Sequence, residues 1–169
     1  EGPDGAGTTL HSKLLAEKLS GAGRVVCLTA EPSTGAIGAW IREELQKGTL
    51  SAEALQLAFC ADRADHLSKV IEPALNRGEV VVCDRYALST IVYGSIAGID
   101  TEWLRAINKH FVVPTLSFLV LPPIEVALER LSRRKEHDAF EKEDLQRKIH
   151  AAYHEELQED PALIHIDSS

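Results

Sequence analysis

The segment that decides the fold lies at the start of the chain and reads Gly2-Pro3-Asp4-Gly5-Ala6-Gly7-Thr8-Thr9. Gly2 and Gly7 have the spacing of the phosphate-binding pattern G-x-x-x-x-G-K-[ST], whose glycines let backbone amides curl around a phosphate. The threonines that follow open a helix, and a helix N-terminus is a favourable place for an anion. We therefore predict that residues 2–9 bind the phosphates of ATP, with Thr8 as a Mg²⁺ ligand.

One part of this Walker A pattern is missing, because Gly7 is followed directly by Thr8 rather than by lysine. That lysine normally bridges the β- and γ-phosphates. A true deletion would turn the following helix by about 100° relative to the loop. Two interpretations stay open: the protein lacks the lysine, or the residue is not represented in the sequence. The segment alone also leaves open a glycine-rich turn without a phosphate-binding role.

Over the rest of the chain, short apolar runs alternate with longer helical patterns, an order typical of a parallel sheet between helices. We predict strands at residues 24–29, 79–84, 115–121 and 163–167. The predicted helices span residues 8–19, 37–46, 52–76, 101–109, 124–134 and 142–158, and Pro73 is expected to end or bend the third. The expected fold is one α/β domain over residues 1–169. It is a P-loop three-layer α/β/α sandwich with a parallel five-stranded sheet, whose first strand is absent from the chain.

Composition narrows the possible partners. The chain has 169 residues and a formal net charge of −8, so it has no general attraction for nucleic acid or acidic membranes. No apolar stretch reaches the roughly 20 residues that a membrane-spanning helix needs. Cys27, Cys60 and Cys83 are odd in number and lack C-x-x-C spacing. We predict buried thiols in a reducing compartment, the cytoplasm, rather than disulfides or metal ligands.

Four further segments carry polar and aromatic residues in a suggestive order. They are Glu31-Pro32-Ser33-Thr34-Gly35, Leu57-Ala58-Phe59-Cys60-Ala61-Asp62-Arg63-Ala64-Asp65-His66, Asp84-Arg85-Tyr86 with Ser89, Thr90, Tyr93 and Gly94, and His137-Asp138-Ala139-Phe140-Glu141. Phe59 can stack on a pyrimidine ring, and Arg63, one helical turn on, can donate to a base carbonyl. Packing of Phe59 in the core is the alternative.

Arg85 directly follows a predicted strand, at the sheet edge where α/β proteins place ligands. Its guanidinium suits a 5′-phosphate, although a structural ion pair involving Asp84 or Arg85 stays possible. Ser89, Thr90 and Tyr93 can line a nucleotide pocket, but hydroxyl residues are also common there without such a role.

In order and spacing, these segments resemble the thymidylate kinase family of P-loop nucleoside monophosphate kinases, over nearly the whole chain. The resemblance implies transfer of the γ-phosphate of ATP to dTMP, with Mg²⁺ as cofactor, in a homodimer. It implies that Asp84 lies near Mg²⁺ and that Asp4 assists Mg²⁺ or the acceptor phosphate. The residues that it assigns to dTMP are Glu31, Phe59, Arg63, Arg85, Ser89, Thr90 and Tyr93.

The resemblance also implies a mobile lid at about residues 132–141. Because residues 4–6 contain no arginine, a lid arginine is expected to neutralise charge on the transferring phosphoryl group, as an arginine finger does. Arg134 is the first candidate and Arg133 the second. A solvated basic face at the end of a helix is the alternative.

The chain departs from the family pattern at four polar positions. Lysine is missing after Gly7, alanine replaces arginine at Ala30 and Ala139, and no glutamine separates Tyr93 from Gly94. If these losses are real, the chain binds nucleotides but catalyses poorly. Two rival functions therefore stay open: a kinase for another nucleotide, and a catalytically impaired nucleotide-binding homologue.

Overall fold

The structure, a computed structural model, describes residues 1–133 and 139–169, with side chains described except at positions 139–142. Its helices are α1 (Thr8–Gly21), α2 (Ala36–Lys47), α3 (Ala52–His66), α4 (Glu72–Asn76), α5 (Ala87–Ile96), α6 (Thr101–Asn108), α7 (Ile124–Ser132) and α8 (Ala139–Glu159). Its strands are β1 (Val26–Ala30), β2 (Val80–Asp84), β3 (Ser117–Val120) and β4 (Leu163–Ile166). A π-helical segment, Leu67–Ile71, joins α3 to α4.

The described residues form two compact units. One unit combines Glu1–Thr8 with Pro114–Ser169, and the other is Thr9–Val113. We call them the terminal unit and the central unit. The single domain over residues 1–169 stays a prediction.

The central unit contains the parallel pair β1 and β2, in register from Val26 opposite Val80 to Ala30 opposite Asp84. Parallel strands need a crossover connection, and here α2, α3, the π-helical segment and α4 provide it. This pairing brings the carboxyl ends of both strands to one edge. The residues that directly follow these two strands are Glu31 and Arg85, and they therefore lie at the same edge of the sheet.

The terminal unit contains the parallel pair β3 and β4, in register from Ser117 opposite Leu163 to Val120 opposite Ile166. On the other edge of β3, the amino group of Glu1 donates to the Phe118 carbonyl at 2.9 Å, and the Val120 amide donates to the Glu1 carbonyl at 2.9 Å. This alternation is that of parallel pairing. Within the described residues the structure holds two two-stranded parallel sheets, so the α/β class is supported and the predicted five-stranded sheet is not confirmed.

The predicted helix over residues 52–76 is divided into α3, the π-helical segment and α4. Pro73, in the first turn of α4, accounts for the division. Proline has no N–H to donate to the carbonyl four residues earlier, and its ring crowds that carbonyl. Just before it, the chain widens into the π-helical segment, and the Glu72 amide donates to the Leu67 carbonyl five residues back. The expected bend is thus a local change of helical hydrogen bonding.

Helix α5 has no counterpart in the predicted secondary structure. Its sequence, ALSTIVYGSI, contains no charged residue and several β-branched ones, so it lacks the polar face that marks an amphipathic helix. Thr90, Ile91, Val92 and Gly94 are buried, and α5 packs against α3 and α6. Tertiary burial on several sides thus overrides weak local helix propensity.

Each unit has its own buried apolar residues. In the central unit they include Ile41, Ala74, Val92 and Leu104, and in the terminal unit Leu119, Ala127, Ile149 and Tyr153. Among the helices of the described residues, none is both long enough and apolar enough to cross a bilayer.

Candidate active site

The glycine loop folds as a tight turn that leads directly into α1. The Ala6 amide donates to the Pro3 carbonyl at 3.2 Å, and α1 begins at Thr8. Gly5 has a φ of 80°, and a Cβ there would lie 2.5 Å from the Ala127 carbonyl oxygen. Glycine is therefore required at this position both by backbone conformation and by the close approach of α7. The loop is thus a tight turn that packs against α7 and ends at the N-terminus of α1, and its phosphate-binding role stays a prediction.

Two side chains of the terminal unit, those of Ser168 and Arg130, form hydrogen bonds to this loop. The Ser168 hydroxyl donates to the Ala6 carbonyl at 2.8 Å. Arg130 Nη2 donates to the Ser168 carbonyl at 2.6 Å, and its Nη1 lies 3.5 Å from the Ala6 carbonyl. Arg130 lies on α7 and therefore braces the loop from that helix.

At the start of α1, the structure brings Thr9 to the acidic end of β2. Thr9 Oγ1 donates to Asp84 Oδ2 at 2.5 Å, whereas Thr8 is buried at the position directly after Gly7. The other oxygen, Asp84 Oδ1, is buried with no hydrogen-bond partner in the structure. A hydroxyl and a carboxylate with an unsatisfied buried oxygen fit a Mg²⁺ ion, which prefers oxygen ligands. The sequence predicted Thr8 and Asp84 as the metal ligands, and the role of Thr8 stays a prediction.

Arg63 lies at the centre of a buried polar cluster in the central unit, with only 1% of its surface exposed. Its Nε and Nη2 both contact Glu31 Oε2, at 2.9 and 2.8 Å. Nη2 also donates to Thr90 Oγ1 at 3.1 Å, and Nη1 donates to Asn108 Oδ1. Of the predicted dTMP residues, the structure thus brings together Glu31, Arg63 and Thr90.

Aromatic rings cover the guanidinium of Arg63. Its Cζ lies 4.8 Å from the centroid of Tyr86 and 5.5 Å from that of Phe111, distances typical of cation–π contacts. Burial raises the pKa of Tyr86 to about 12, with the nearby Glu31 carboxylate adding to the effect. Hydrogen bonds along the edge of the guanidinium and aromatic rings against its faces therefore fix the position of Arg63, unlike that of a surface arginine.

The loop that carries Glu31 is fastened to α3 by Asp62. The Ser33 amide donates to Asp62 Oδ2 and the Ser33 hydroxyl to Asp62 Oδ1, both at 2.6 Å. Both residues are buried. Consecutive residues of α3 therefore hold two positions of one loop, Asp62 through Ser33 and Arg63 through Glu31.

Arg85 forms a second cluster with two of the predicted hydroxyl residues. It has a φ of 68°, an uncommon backbone conformation for a residue other than glycine. Its Nη1 lies 3.4 Å from Ser89 Oγ and 3.4 Å from Tyr93 Oη. The guanidinium is half-buried at the end of β2. The arrangement places a fixed positive charge among hydroxyl groups, which suits a phosphate.

The structure also describes the predicted residues Phe59, Asp4 and Arg133. Phe59 is half-buried on α3, and Asp4 is half-buried in the glycine loop. Arg133 is exposed, and its Nη2 donates to Glu129 Oε1 at 2.6 Å. Arg134, the first candidate for the catalytic arginine, and half of the predicted lid lie outside the described residues. The roles of these residues stay predictions.

A family model described as thymidylate kinase matches residues 1–169. The chain belongs to the thymidylate kinase family. This confirms the family resemblance that the sequence motifs indicated. Members of this family are kinases that act on nucleotides, which gives the Arg63 cluster and the Arg85 cluster a shared functional context.

Curated thymidylate kinase relatives match along most of the chain. A protein of Methanocaldococcus jannaschii, named "Probable thymidylate kinase", is 41% identical over 170 residues, covering 100% of this chain and 85% of the relative. One of the same name from Pyrococcus abyssi is 41% identical over 160 residues, covering 90% of this chain and 78% of the relative. A third, from Thermococcus kodakarensis, is 39% identical over 163 residues, covering 90% and 80%.

Several residues of the site were missed by the sequence analysis. Asn108 ends α6 and accepts from Arg63, while its Nδ2 donates to the Leu104 carbonyl at 2.8 Å. Arg130 and Ser168 brace the glycine loop. Asn108 and Ser168 carry no sequence signal, because each meets its partner only across a long stretch of chain. The thiols were predicted as buried, but only Cys60 is so, and Cys27 and Cys83 are partly exposed.

Proposed function

We propose that this protein phosphorylates dTMP, transferring the γ-phosphoryl group of ATP to give dTDP and ADP. The observation that carries the proposal is the family match over residues 1–169, together with relatives at about 40% identity whose names specify this activity. In the reaction, an oxygen of the dTMP phosphate forms a bond to Pγ while the bond from Pγ to the bridging oxygen of ATP breaks. No covalent enzyme intermediate is needed, so the protein contributes positioning and charge.

For ATP, the glycine loop and the N-terminus of α1 offer backbone amides to the phosphates. The residues of this cradle are Gly2, Pro3, Asp4, Gly5, Ala6, Gly7, Thr8 and Thr9. Thr9 and Asp84 would hold Mg²⁺, since the Thr9 hydroxyl contacts one oxygen of the Asp84 carboxylate and the other oxygen is buried without a hydrogen-bond partner. Bound Mg²⁺ supplies positive charge that offsets the charge on the phosphates.

For dTMP, we propose that Arg85 binds the 5′-phosphate, with Ser89 and Tyr93 beside it. Support comes from the 3.4 Å distances that already join the guanidinium to both hydroxyl groups. Phe59 would stack on the base. The contact of Arg63 Nη2 with Thr90 Oγ1, at 3.1 Å, is the one that a base carbonyl could replace while Glu31 and Asn108 keep Arg63 in place.

Charge on the transferring phosphoryl group would be neutralised by a lid arginine, Arg134 or Arg133, and Asp4 would assist Mg²⁺ or the acceptor phosphate. A homodimer is also proposed. Apolar side chains on two packed helices support it: Trp40 and Leu45 on α2 and Leu57 on α3 are 44%, 51% and 48% exposed. The substrates and the three cysteines without disulfides suit the reducing environment of the cytoplasm.

The absence of lysine after Gly7 favours a second candidate, a nucleotide-binding homologue with impaired catalysis. No basic side chain of the loop replaces the lost charge. Removing one preorganised donor to a developing charge typically lowers kcat by about 100-fold or more.

Steady-state kinetics test the proposal. With ATP and Mg²⁺, we expect kcat/KM to be highest for dTMP among dTMP, dUMP, dCMP, AMP and thymidine. A matched protein, with lysine inserted between Gly7 and Thr8, separates the two candidates. If the lysine is limiting, the insertion raises kcat by about 100-fold. Higher kcat/KM with AMP or dCMP in both proteins would contradict dTMP as the acceptor.

A further inference from the structure

A second group of metal-ligand side chains lies in the central unit. Glu31, His66 and Cys83 each place one ligand atom within 4.8 Å of the other two. Glu31 follows β1, His66 ends α3 and Cys83 lies in β2, so three different elements assemble the group. We propose that this Glu31–His66–Cys83 cluster is a Zn²⁺ site.

The donor set selects the kind of metal. A carboxylate oxygen, an imidazole nitrogen and a thiolate together are ligands typical of Zn²⁺, whereas Mg²⁺ and Ca²⁺ take oxygen ligands. Bonds of about 2.0–2.3 Å to a tetrahedral Zn²⁺ place the ligand atoms about 3.5 Å apart. The separations in the cluster, at most 4.8 Å, therefore need to close by about 1 Å when the metal binds.

Neighbouring groups already orient two of the ligands. His66 Nε2 lies 2.6 Å from Thr29 Oγ1, which leaves Nδ1 facing Glu31 Oε1 at 3.2 Å. The other oxygen of this carboxylate, Oε2, is held by Arg63 at 2.8 Å. Such outer contacts fix the tautomer and direction of metal ligands.

The tautomer of His66 decides what a metal would replace. When Nε2 carries the proton and donates to Thr29, Nδ1 and Glu31 Oε1 are both acceptors, and a cation between them satisfies both. In the other tautomer, Nδ1–H donates to Glu31, and metal binding exchanges that hydrogen bond for two coordination bonds.

Cys83 completes the set by exchanging a proton for the metal. Its thiol now donates to the Arg85 carbonyl at 3.1 Å. On binding, the S–H bond breaks, the proton leaves to solvent and the sulfur bonds to Zn²⁺. The sequence analysis predicted thiols rather than metal ligands from the odd number of cysteines and the absence of C-x-x-C spacing. The cluster draws on one cysteine, with its partners from distant parts of the chain.

The positive charge of Arg63 beside Glu31 opposes a second cation, so we expect weaker binding than at a structural zinc site with several thiolates. Binding would also engage Glu31. If the proposed function holds, Zn²⁺ therefore inhibits dTMP phosphorylation. Only this consequence rests on the proposed function, because metal binding itself is measured without turnover.

The test uses the metal-free full chain, titrated with Co²⁺ as a spectroscopic probe for Zn²⁺, with excess Mg²⁺ filling oxygen-only sites. We expect one Co²⁺ per chain with a thiolate-to-cobalt charge-transfer band, which added Zn²⁺ removes. Cys83→Ser abolishes the band, and His66→Gln weakens Co²⁺ binding at least tenfold. Cys27→Ser and Cys60→Ser are matched controls that retain the band and the affinity.

Circular dichroism verifies that each variant is folded. If Cys83→Ser does not fold, alkylation of the unaltered protein replaces it: Zn²⁺ should slow modification of Cys83, located by mass spectrometry, and leave that of Cys27 unchanged. The proposal is overturned by the absence of a charge-transfer band, by its persistence in Cys83→Ser, or by equal protection of Cys27. Any of these results leaves the kinase activity to be judged separately.

Discussion

At the scale of single residues, the buried Arg63 illustrates how this protein keeps a charge away from water. Transfer of an unpaired charge to a protein interior is costly, and the cost is offset only when the ion is paired and hydrogen-bonded. Glu31 supplies the opposite charge, and Thr90 and Asn108 supply acceptors for the remaining donors. Removal of a single partner leaves a buried donor unsatisfied.

Asn108→Ala tests this dependence. We expect the free energy of unfolding to fall by about 1.5–3 kcal/mol, the usual contribution of a hydrogen bond to a charged group. Arg63 Nη1 loses its acceptor at a buried position. Urea denaturation of the two proteins measures the difference.

Asn76→Ala is the matched control, because Asn76 ends α4 as an exposed residue. Its effect should stay within about 0.5 kcal/mol. Equal effects of the two substitutions would show that the contact with Arg63 contributes nothing beyond the loss of an asparagine.

At the scale of elements, the position of helix α2 depends on a glycine. Gly38 lies in the first turn of α2, directly against the loop that carries Ser33. A Cβ at Gly38 would lie 2.0 Å from the Ser33 carbonyl oxygen and 2.6 Å from its amide nitrogen. Both atoms belong to backbone that Asp62 holds in place, so neither can move easily.

Gly38→Ala should therefore destabilise the protein even though alanine is the better helix former. Propensity alone favours alanine by about 0.8–1 kcal/mol. The clash should reverse this sign and cost about 1–3 kcal/mol, and it should also raise KM for dTMP by displacing Glu31. Thermal denaturation and steady-state kinetics measure the two effects.

Gly21→Ala provides the comparison within α1. Gly21 is the last residue of that helix, and a Cβ there meets no atom within 4 Å. We expect a neutral or slightly stabilising effect. A stabilising effect of Gly38→Ala similar to that of Gly21→Ala would refute the close packing of α2 on the loop.

At the scale of the whole molecule, burial of Tyr86 links stability to alkaline pH. The pKa of Tyr86 is raised from 10.0 to about 12, mainly by burial. The folded protein therefore retains a proton that the unfolded chain releases above pH 10. This contribution to stability is complete below about pH 10 and is lost as the pH rises towards 12.

Tyr86→Phe removes the titrating group and keeps the ring over Arg63. Between pH 10 and 12, we expect the free energy of unfolding to fall less in the variant than in the unaltered protein. The difference should be on the order of 2 kcal/mol. Urea denaturation at pH 8, 10 and 11 gives the comparison, with pH 8 as the baseline. Parallel pH profiles of the two proteins would contradict the shift.

Local physical chemistry accounts for what was predictable. All four described strands lie in or within one residue of the predicted apolar runs, because β-branched runs carry their own preference for strands. Ser89 and Tyr93 were predicted together and are found together, since a four-residue spacing places side chains on one face of α5, and Arg85 at the end of β2 contacts both. Helix α5 was missed, because an apolar helix buried on several sides has no periodic pattern.

The sequence by itself determined the strands, most of the helices, the glycine loop and the family, because each depends on residues that are close together in the chain. Only the tertiary structure decided which side chains meet. Arg63 reaches Asn108 across 45 positions and Glu31 across 32, and Thr9 reaches Asp84 across 75. Such contacts depend on the pairing of strands and the rotation of helices. Strand pairing and helix rotation are determined by burial of the apolar surface of the whole chain. A local sequence pattern carries no information about that burial.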